Sequence, residues 1–439
     1  MLTDGKTPGF LISAPSSGSG KTVTTLALLR AYRNHGRAIG SFKVGPDYID
    51  PAFHTAASGR VCFNLDLWGM RTRTVESNLN TVVPDVDLVI GEGVMGLFDG
   101  ASGGGGSTAD IAVALDMPVV LVVDASGQAT SAAALVHGFD TFDSRLKLAG
   151  VIFNRIGGPK HRDILQSAMA SRGTKVFGFI PRHESLTLPE RHLGLVQALE
   201  NSALEGFLDS AAEFVAEHVD LEAMEKLGSI SVTEPKTNHP PLRPLGQKMA
   251  VARDQAFAFA YPHVLDGWQN QGAELTLFSP LADETPQACD AIYLPGGYPE
   301  LHAGKLASNA NFLNSIRSCA RENLTIFGEC GGYMVLGQGL VDADNERHEM
   351  AGLLPLETSF ADRRLHLGYR EVSLKNDHAL GAKGSLFRAH EFHYATITRE
   401  EGDEALFIGN DSEGNSLGTF GHRIGAVAGS FIHLIDQSD

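Results

Sequence analysis

This sequence predicts an α/β fold in two domains, each built on a parallel sheet, and three observations predict it. Short β-rich apolar runs alternate with helix-length segments through the first 226 residues. The composition then becomes polar and proline-rich over residues 227–247. After that stretch the same alternation restarts and runs to the end of the 439 residues.

The elements follow in order. Gly9–Ala14 reads as a buried strand, and Thr22–His35 has helical spacing of Leu26, Leu29 and Tyr32 before Gly36 stops it. Further strands are expected at Val86–Ile90, Val119–Val123, Gly150–Phe153 and Val176–Ile180. The second domain, 248–439, restarts with Met249–Ala252, Glu274–Phe278, Ala291–Leu294 and Leu324–Phe327. Strands separated by helix-length segments pair in parallel, and ligands of such sheets sit at the carboxyl ends of the strands.

Composition narrows the function classes. A formal net charge of -17 argues against a general nucleic-acid binder. An anionic substrate would need a local basic or metal-containing pocket. The start shows no basic region followed by an apolar core, and the most apolar run, Pro118–Asp124, is far short of the ~20 residues that cross a bilayer. A cytoplasmic protein without membrane association is expected; a homodimer is left open. The four cysteines are scattered and none forms a C-x-x-C pair, against a disulfide framework or a zinc site.

Ala14-Pro-Ser-Ser-Gly-Ser-Gly-Lys21-Thr22 lies at a strand–helix junction. Its glycines let several N–H groups face one anion, and a helix N-terminus adds positive potential. Gly18, Ser19, Gly20, Lys21 and Thr22 are therefore the expected ATP-phosphate site, with Lys21 on the outer phosphates and the Thr22 hydroxyl on Mg²⁺. Pro15 stands where the usual pattern has glycine. Two acidic turns, Lys43–Pro51 and Gly91–Gly100, offer the other oxygen ligands a magnesium ion prefers; Asp47 and Glu92 are the first choices and Asp99 the next. Asn154 ends another strand, where its amide could read an adenine edge or simply serve the fold.

In the second domain Gly328-Glu-Cys330-Gly-Gly follows an apolar run and precedes a helical stretch, the cysteine version of the strained turn that exposes a nucleophile. The Gly331 N–H is one expected oxyanion donor, and the Pro295-Gly-Gly-Tyr turn, at Gly297, could supply the second. Among the 17 histidines, His433, in a strand-like run near the C-terminus, is the preferred base. The cluster of His390 and His393 is the rival.

With these motifs assembled, the C-terminal part resembles the class I glutamine amidotransferases and the N-terminal part is similar to dethiobiotin-synthetase-like P-loop enzymes. Together with Pro189-Glu-Arg-His-Leu-Gly-Leu and Gly-Gly-Tyr-Pro-Glu300, the whole chain resembles the cobyrinate or hydrogenobyrinate a,c-diamide synthases. That resemblance implies amidation of two carboxylates of a corrin-type polycarboxylate, using ATP, Mg²⁺ and L-glutamine. Tyr48, Asp99 and the Gly103–Thr108 loop would line the substrate site. Most class I members carry a glutamate two residues after the catalytic histidine, where this chain has Ile435, so a Cys–His dyad is implied. Asp436 is the nearest alternative for orienting the ring. Cobyrate synthases and nickel-sirohydrochlorin a,c-diamide synthases are related alternatives. A partitioning-type P-loop ATPase is a distant one, since Ser16 stands at its signature lysine and Cys330 would have no role.

Overall fold

The computed structural model describes residues 6–170, 172–187, 190–191, 194–195, 198, 203–232, 240–402 and 404–438. Part of the Pro189–Leu195 motif, and residues 233–239 of the proline-rich stretch, lie outside the described residues. The chain forms two compact units. The first comprises Met1–Leu67, Val75–Gly100 and Gly105–Asn238; the second comprises Trp68–Thr74, Ala101–Gly104 and His239–Asp439.

The first unit is built on strands β1 (Lys6–Ser13), β2 (Ile39–Val44), β3 (Phe63–Leu65), β4 (Leu88–Glu92), β5 (Val119–Asp124), β6 (Leu148–Ile156) and β7 (Lys175–Pro181). Their order across the sheet is β3-β2-β4-β1-β5-β6-β7, and every neighbouring pair on that path is parallel. Runs such as Val119–Val123 are wholly buried because helices cover both faces of a parallel sheet, so alternation gives way to continuous apolar sequence. β2 is expected only as the strand end that carries the Lys43 turn, and β3 is not expected: Lys43 and Asn64 place polar side chains within short buried strands. The strand Ser229–Ser231, inside the segment expected as a linker, pairs antiparallel with the start of β1.

The second unit contains two principal sheets. One has six strands in the order Glu274–Phe278, Lys248–Ala252, Ala291–Leu294, Thr325–Glu329, Val427–Ser430, His422–Ile424; all pairs are parallel except the last. The other is antiparallel, in the order Ser416–Phe420, Phe407–Asp411, His366–Leu374, Leu386–His393, Ile432–Gln437. The strand-like run expected to contain His433 is thus two strands: Val427–Ser430 finishes in the parallel sheet, and after Phe431 the chain enters the antiparallel one.

The segment Trp68–Thr74 belongs to this unit for a physical reason. Asp436, a fully buried carboxylate, accepts from the Arg71 backbone N–H at 2.8 Å, from Arg71 Nε at 3.0 Å and from Thr74 Oγ1 at 2.6 Å. Trp68 lies against the Tyr369 ring with the Arg388 guanidinium 4.4 Å from its own ring. A buried carboxylate left unpaired would cost several kcal/mol, at least about 3, so these bonds hold the segment in place.

Candidate active site: a phosphate loop and a cysteine elbow

The glycine loop leaves β1 and feeds the helix Lys21–Asn34. Gly18 and Gly20 hold φ values of 79° and 87°, a region in which side chains are strained. Gly20 is also crowded: a Cβ there would stand 2.1 Å from Asn154 Nδ2. Asn154 donates to the Ser19 carbonyl at 3.0 Å, and Arg155 Nη1 donates to the Gly18 carbonyl at 2.9 Å and to Asp124 Oδ2 at 2.6 Å. The carboxyl ends of β5 and β6 therefore clamp the loop through its carbonyls. Asn154 is placed at the nucleotide loop, as part of its support.

Beyond the loop, four polar side chains converge on Glu92, the last residue of β4, which is fully buried. Glu92 Oε1 receives Thr22 Oγ1 at 2.7 Å, Lys43 Nζ at 2.7 Å and Lys21 Nζ at 3.1 Å, while Oε2 meets His54 Nε2 at 2.6 Å. Asp50 joins through Lys43 at 2.6 Å and Thr22 at 3.3 Å. Burial alone would raise the Glu92 carboxyl, but Lys43 and Lys21 hold it well below its ordinary range. Burial together with Lys43 lowers Lys21. Against burial, neighbouring Cys62 and Glu92 hold His54 up at about 10.

Thr22, Glu92 and Asp50 present an all-oxygen set around one point, the donor chemistry that Mg²⁺ requires. Asp47 is arranged differently. Its Oδ1 accepts the backbone N–H groups of Ile49 and Asp50 at 2.8 and 3.0 Å, closing the turn that aims Asp50 inward. Burial and Asp50 raise its carboxyl to about 6. The sequence points to Asp47 and not to Asp50, Lys43 or His54, although these lie in or beside the same segment. The available signal was spacing: Asp50 opens the helix Asp50–Ser58, so it and His54, four residues on, share one face. Tyr48 is buried at 6% exposure. Asp99 is exposed, and its Oδ2 accepts the Gly96 N–H at 2.9 Å.

In the second unit Cys330 sits between the strand Thr325–Glu329 and the helix Gly331–Leu336 with φ 46° and ψ -104°. That backbone strain is the mark of a nucleophile elbow, and glycines make room for it. A Cβ on Gly332 would stand 1.9 Å from the Leu294 carbonyl oxygen, and one on Gly328 would stand 2.8 Å from Gly332. The Cys330 N–H donates to the Ser430 carbonyl at 2.8 Å. Burial, then Glu300, push the Cys330 thiol up, and a hydrogen bond from the Gly331 N–H works the other way. The amide nitrogen of Gly297 lies 3.0 Å from where a Gly331 Cβ would stand, so the two expected donors are neighbours.

Gly296 locates the histidine expected as the base. A Cβ there would lie 2.4 Å from His433 Cε1, 3.0 Å from His433 Nε2 and 3.2 Å from the Cys330 Cβ. His433 and Cys330 thus flank one glycine, and only hydrogen fits between them. Burial, followed by His390 and His393, lowers the His433 ring to about 3, so the resting imidazole is neutral. His390 is the register partner of His433 across the antiparallel sheet, which makes the two histidine candidates one neighbourhood. His393 points into other contacts: Nε2 meets Glu391 Oε1 at 3.0 Å, Nδ1 faces the Ala395 carbonyl, and its ring stacks 3.9 Å from that of Phe431. Asp436, weighed as the orienting carboxylate, spends its oxygens on Arg71 and Thr74. No helix among the described residues is long and apolar enough to cross a membrane.

Comparison with known proteins agrees with both halves. Residues 10–196 match the CobQ/CobB/MinD/ParA nucleotide binding domain, and residues 248–439 match the CobB/CobQ-like glutamine amidotransferase domain. The chain is 51% identical over 442 residues to a hydrogenobyrinate a,c-diamide synthase of Brucella abortus, covering 98% of this chain and 99% of that one. It is 52% identical over 432 residues to the Rhizobium meliloti enzyme of that name, covering 98% and 100%, and 48% identical over 433 residues to that of Mesorhizobium japonicum, covering 98% of each. A nucleotide loop, a cysteine elbow and this similarity along nearly the whole chain place it in the hydrogenobyrinate a,c-diamide synthase family, the glutamine-dependent amidating ligases of cobalamin synthesis.

Proposed function

We propose that this chain amidates the a and c side-chain carboxylates of a corrin-type polycarboxylate, hydrogenobyrinate being the ring its relatives are named for. The supporting observation is the pairing, in one chain, of Cys330 at a strained elbow beside His433 with a phosphate loop whose Lys21 and Thr22 reach the buried Glu92. A P-loop switch or a glutaminase alone would leave one of these constellations without a role.

The chemistry needs both. A carboxylate is a poor electrophile, so one of its oxygens takes the γ-phosphoryl group of ATP, releasing ADP and leaving an acyl phosphate. The loop N–H groups and Lys21 hold the phosphates and offset their charge. Thr22, Glu92 and Asp50 would hold Mg²⁺, which supplies charge neutralisation on the nucleotide. Tyr48 and Asp99 are the residues offered to the substrate.

Nitrogen comes from glutamine. Cys330 Sγ attacks the side-chain amide carbon while His433 takes the thiol proton, and the oxyanion faces the N–H groups of Gly331 and Gly297. His433 returns the proton as the C–N bond breaks, so ammonia leaves and a thioester remains, which water hydrolyses to glutamate. Ammonia then displaces phosphate from the acyl phosphate, giving the amide.

The test is product mass. The protein is incubated with hydrogenobyrinate, its cobalt-containing counterpart or sirohydrochlorin, each with ATP, Mg²⁺ and either glutamine or ammonium. A diamide from hydrogenobyrinate is expected with both nitrogen sources, and Cys330→Ala should lose only the glutamine reaction. Absence of any amide from that ring with ammonium would sink the reading.

A further inference from the structure

We propose that Glu329, the residue before the nucleophile, is the positioning residue for His433. The assignment rests on the glutaminase reading above and deepens it. His433 has no exposed surface, and its Nδ1 lies 3.9 Å from Glu329 Oε2, a buried side chain with 4% exposure. Glu329 is fixed from two sides. Its Oε1 accepts the N–H of Leu434, the residue after His433, at 3.1 Å, and its Oε2 accepts the Tyr293 hydroxyl at 2.7 Å. The bond to Leu434 ties the carboxylate to the strand that carries the histidine. The covalent link to Cys330 ties it to the nucleophile. One side chain therefore couples the two catalytic groups.

The other nearby carboxylates are differently engaged. Asp436 is bound by Arg71 and Thr74, and Glu391 by Arg370 Nε at 2.8 Å and His393 at 3.0 Å. Ile435, in the position where a carboxylate would follow the histidine by two, is buried and sends its carbonyl to His263 at 2.9 Å. When His433 takes the Cys330 proton, an imidazolium appears in a site closed to water. Glu329 lies on its Nδ1 side, opposite the nitrogen that works on the thiol. Burial raises the Glu329 carboxyl to about 7, against the Tyr293 hydroxyl and the Leu434 N–H, so it is about half ionised at neutral pH and offers its full charge to the imidazolium above that pH. The groups facing the pair are Tyr293, Glu300, His390, Glu391 and His393, and all of them are kept in the Glu329→Gln variant.

Glu329→Gln keeps the shape and the acceptor for Leu434 while removing the charge. In the full chain, glutamate release is measured from pH 5 to 10, and ammonium-dependent amidation beside it. The glutamine kcat should fall at least about tenfold, on the scale of the ~10⁴-fold loss when the orienting carboxylate of a serine–histidine–aspartate triad becomes an amide. The glutamine KM and the ammonium reaction should hold within about threefold, an expectation of the positioning role. The limb of the pH profile near 7 that ionisation of Glu329 sets should vanish, since glutamine does not titrate. In a His433→Ala background the same change should cost nothing further.

Unchanged kcat and pH limb, equal loss of the ammonium reaction, or a full additional loss in the His433→Ala background would each overturn the assignment. Should Glu329→Gln not fold, Tyr293→Phe carries the test by removing one of the two bonds that fix the carboxylate. Glutamine turnover should then fall with ammonium use retained, and unchanged glutamine turnover overturns the proposal. Cys330→Ala, run alongside, separates the failures: if it still releases glutamate, the glutaminase reading itself has failed.

Discussion

The ammonium group of Lys43 stands 2.7 Å from Glu92 Oε1, with 2% of one side chain and none of the other open to solvent. Burying two charges is costly unless each finds its partners, and here Asp50, Thr22, Lys21 and His54 complete the set. Removing one member strands the others. Lys43→Met should lower stability by about 3–5 kcal/mol, read as the shift of the first unit's thermal or denaturant transition. ATP-dependent amidation should fall with it, whereas glutamate release by the separate elbow is the comparison that shows the second unit still folded. A variant as stable as the parent would mean that Lys43 is no part of this charge balance.

The two aspartates of the Asp47–Asp50 turn should separate. Asp50 reaches Thr22 and Lys43, whereas Asp47 binds its own backbone. Asp50→Asn is expected to reduce ATP-dependent product formation by ~10²-fold with either nitrogen source, the scale of a lost electrostatic group in a transition state. Lys21→Ala and Glu92→Gln should do the same. Asp47→Asn should cost less, because asparagine can still accept those N–H bonds. Steady-state amidation with ammonium decides the order, and a larger loss for Asp47→Asn would reverse it.

His433→Ala should lose glutamate release almost as fully as Cys330→Ala, with ammonium-supported amidation retained. The double variant should be barely worse than either single one, because a nucleophile and its base fail as a unit. His390 is the register partner of His433, so His390→Ala should perturb turnover mildly. Were His390→Ala or His393→Ala to mimic the cysteine variant while His433→Ala stayed active, the base would have to be reassigned.

Gly296→Ala supplies a steric test of the same pair. The added methyl would stand 2.4 Å from His433 Cε1 and 3.2 Å from the Cys330 Cβ, so the imidazole must give way. Glutamate release should drop by ~10²-fold, since an ångström of misplacement in a reacting pair is worth about that much. Ammonium-dependent amidation should stay near the parent level. Parent-level glutaminase would show that the space between His433 and Cys330 is not needed.

The sequence by itself determined the local chemistry. Gly18, Gly20 and Lys21 had to form an anion loop because φ values near +80° favour glycine and a helix start follows. Gly328, Gly331 and Gly332 marked the Cys330 elbow for the same reason of space. Continuous apolar runs such as Val119–Val123 announced a parallel sheet, since both of its faces are buried. The tertiary structure decided which of several like residues meet. One turn aims Asp50 at Thr22 and Lys43 and folds Asp47 back onto its own backbone. The chain's step at Phe431 from one sheet to another set His433 beside Gly296 and opposite His390. Asp436 went to Arg71, 365 residues away, and Glu329 came to His433 from 104 residues away. Local spacing carries propensity and turn geometry, but the partners of a buried charge are chosen by desolvation, across whatever sequence distance the fold closes.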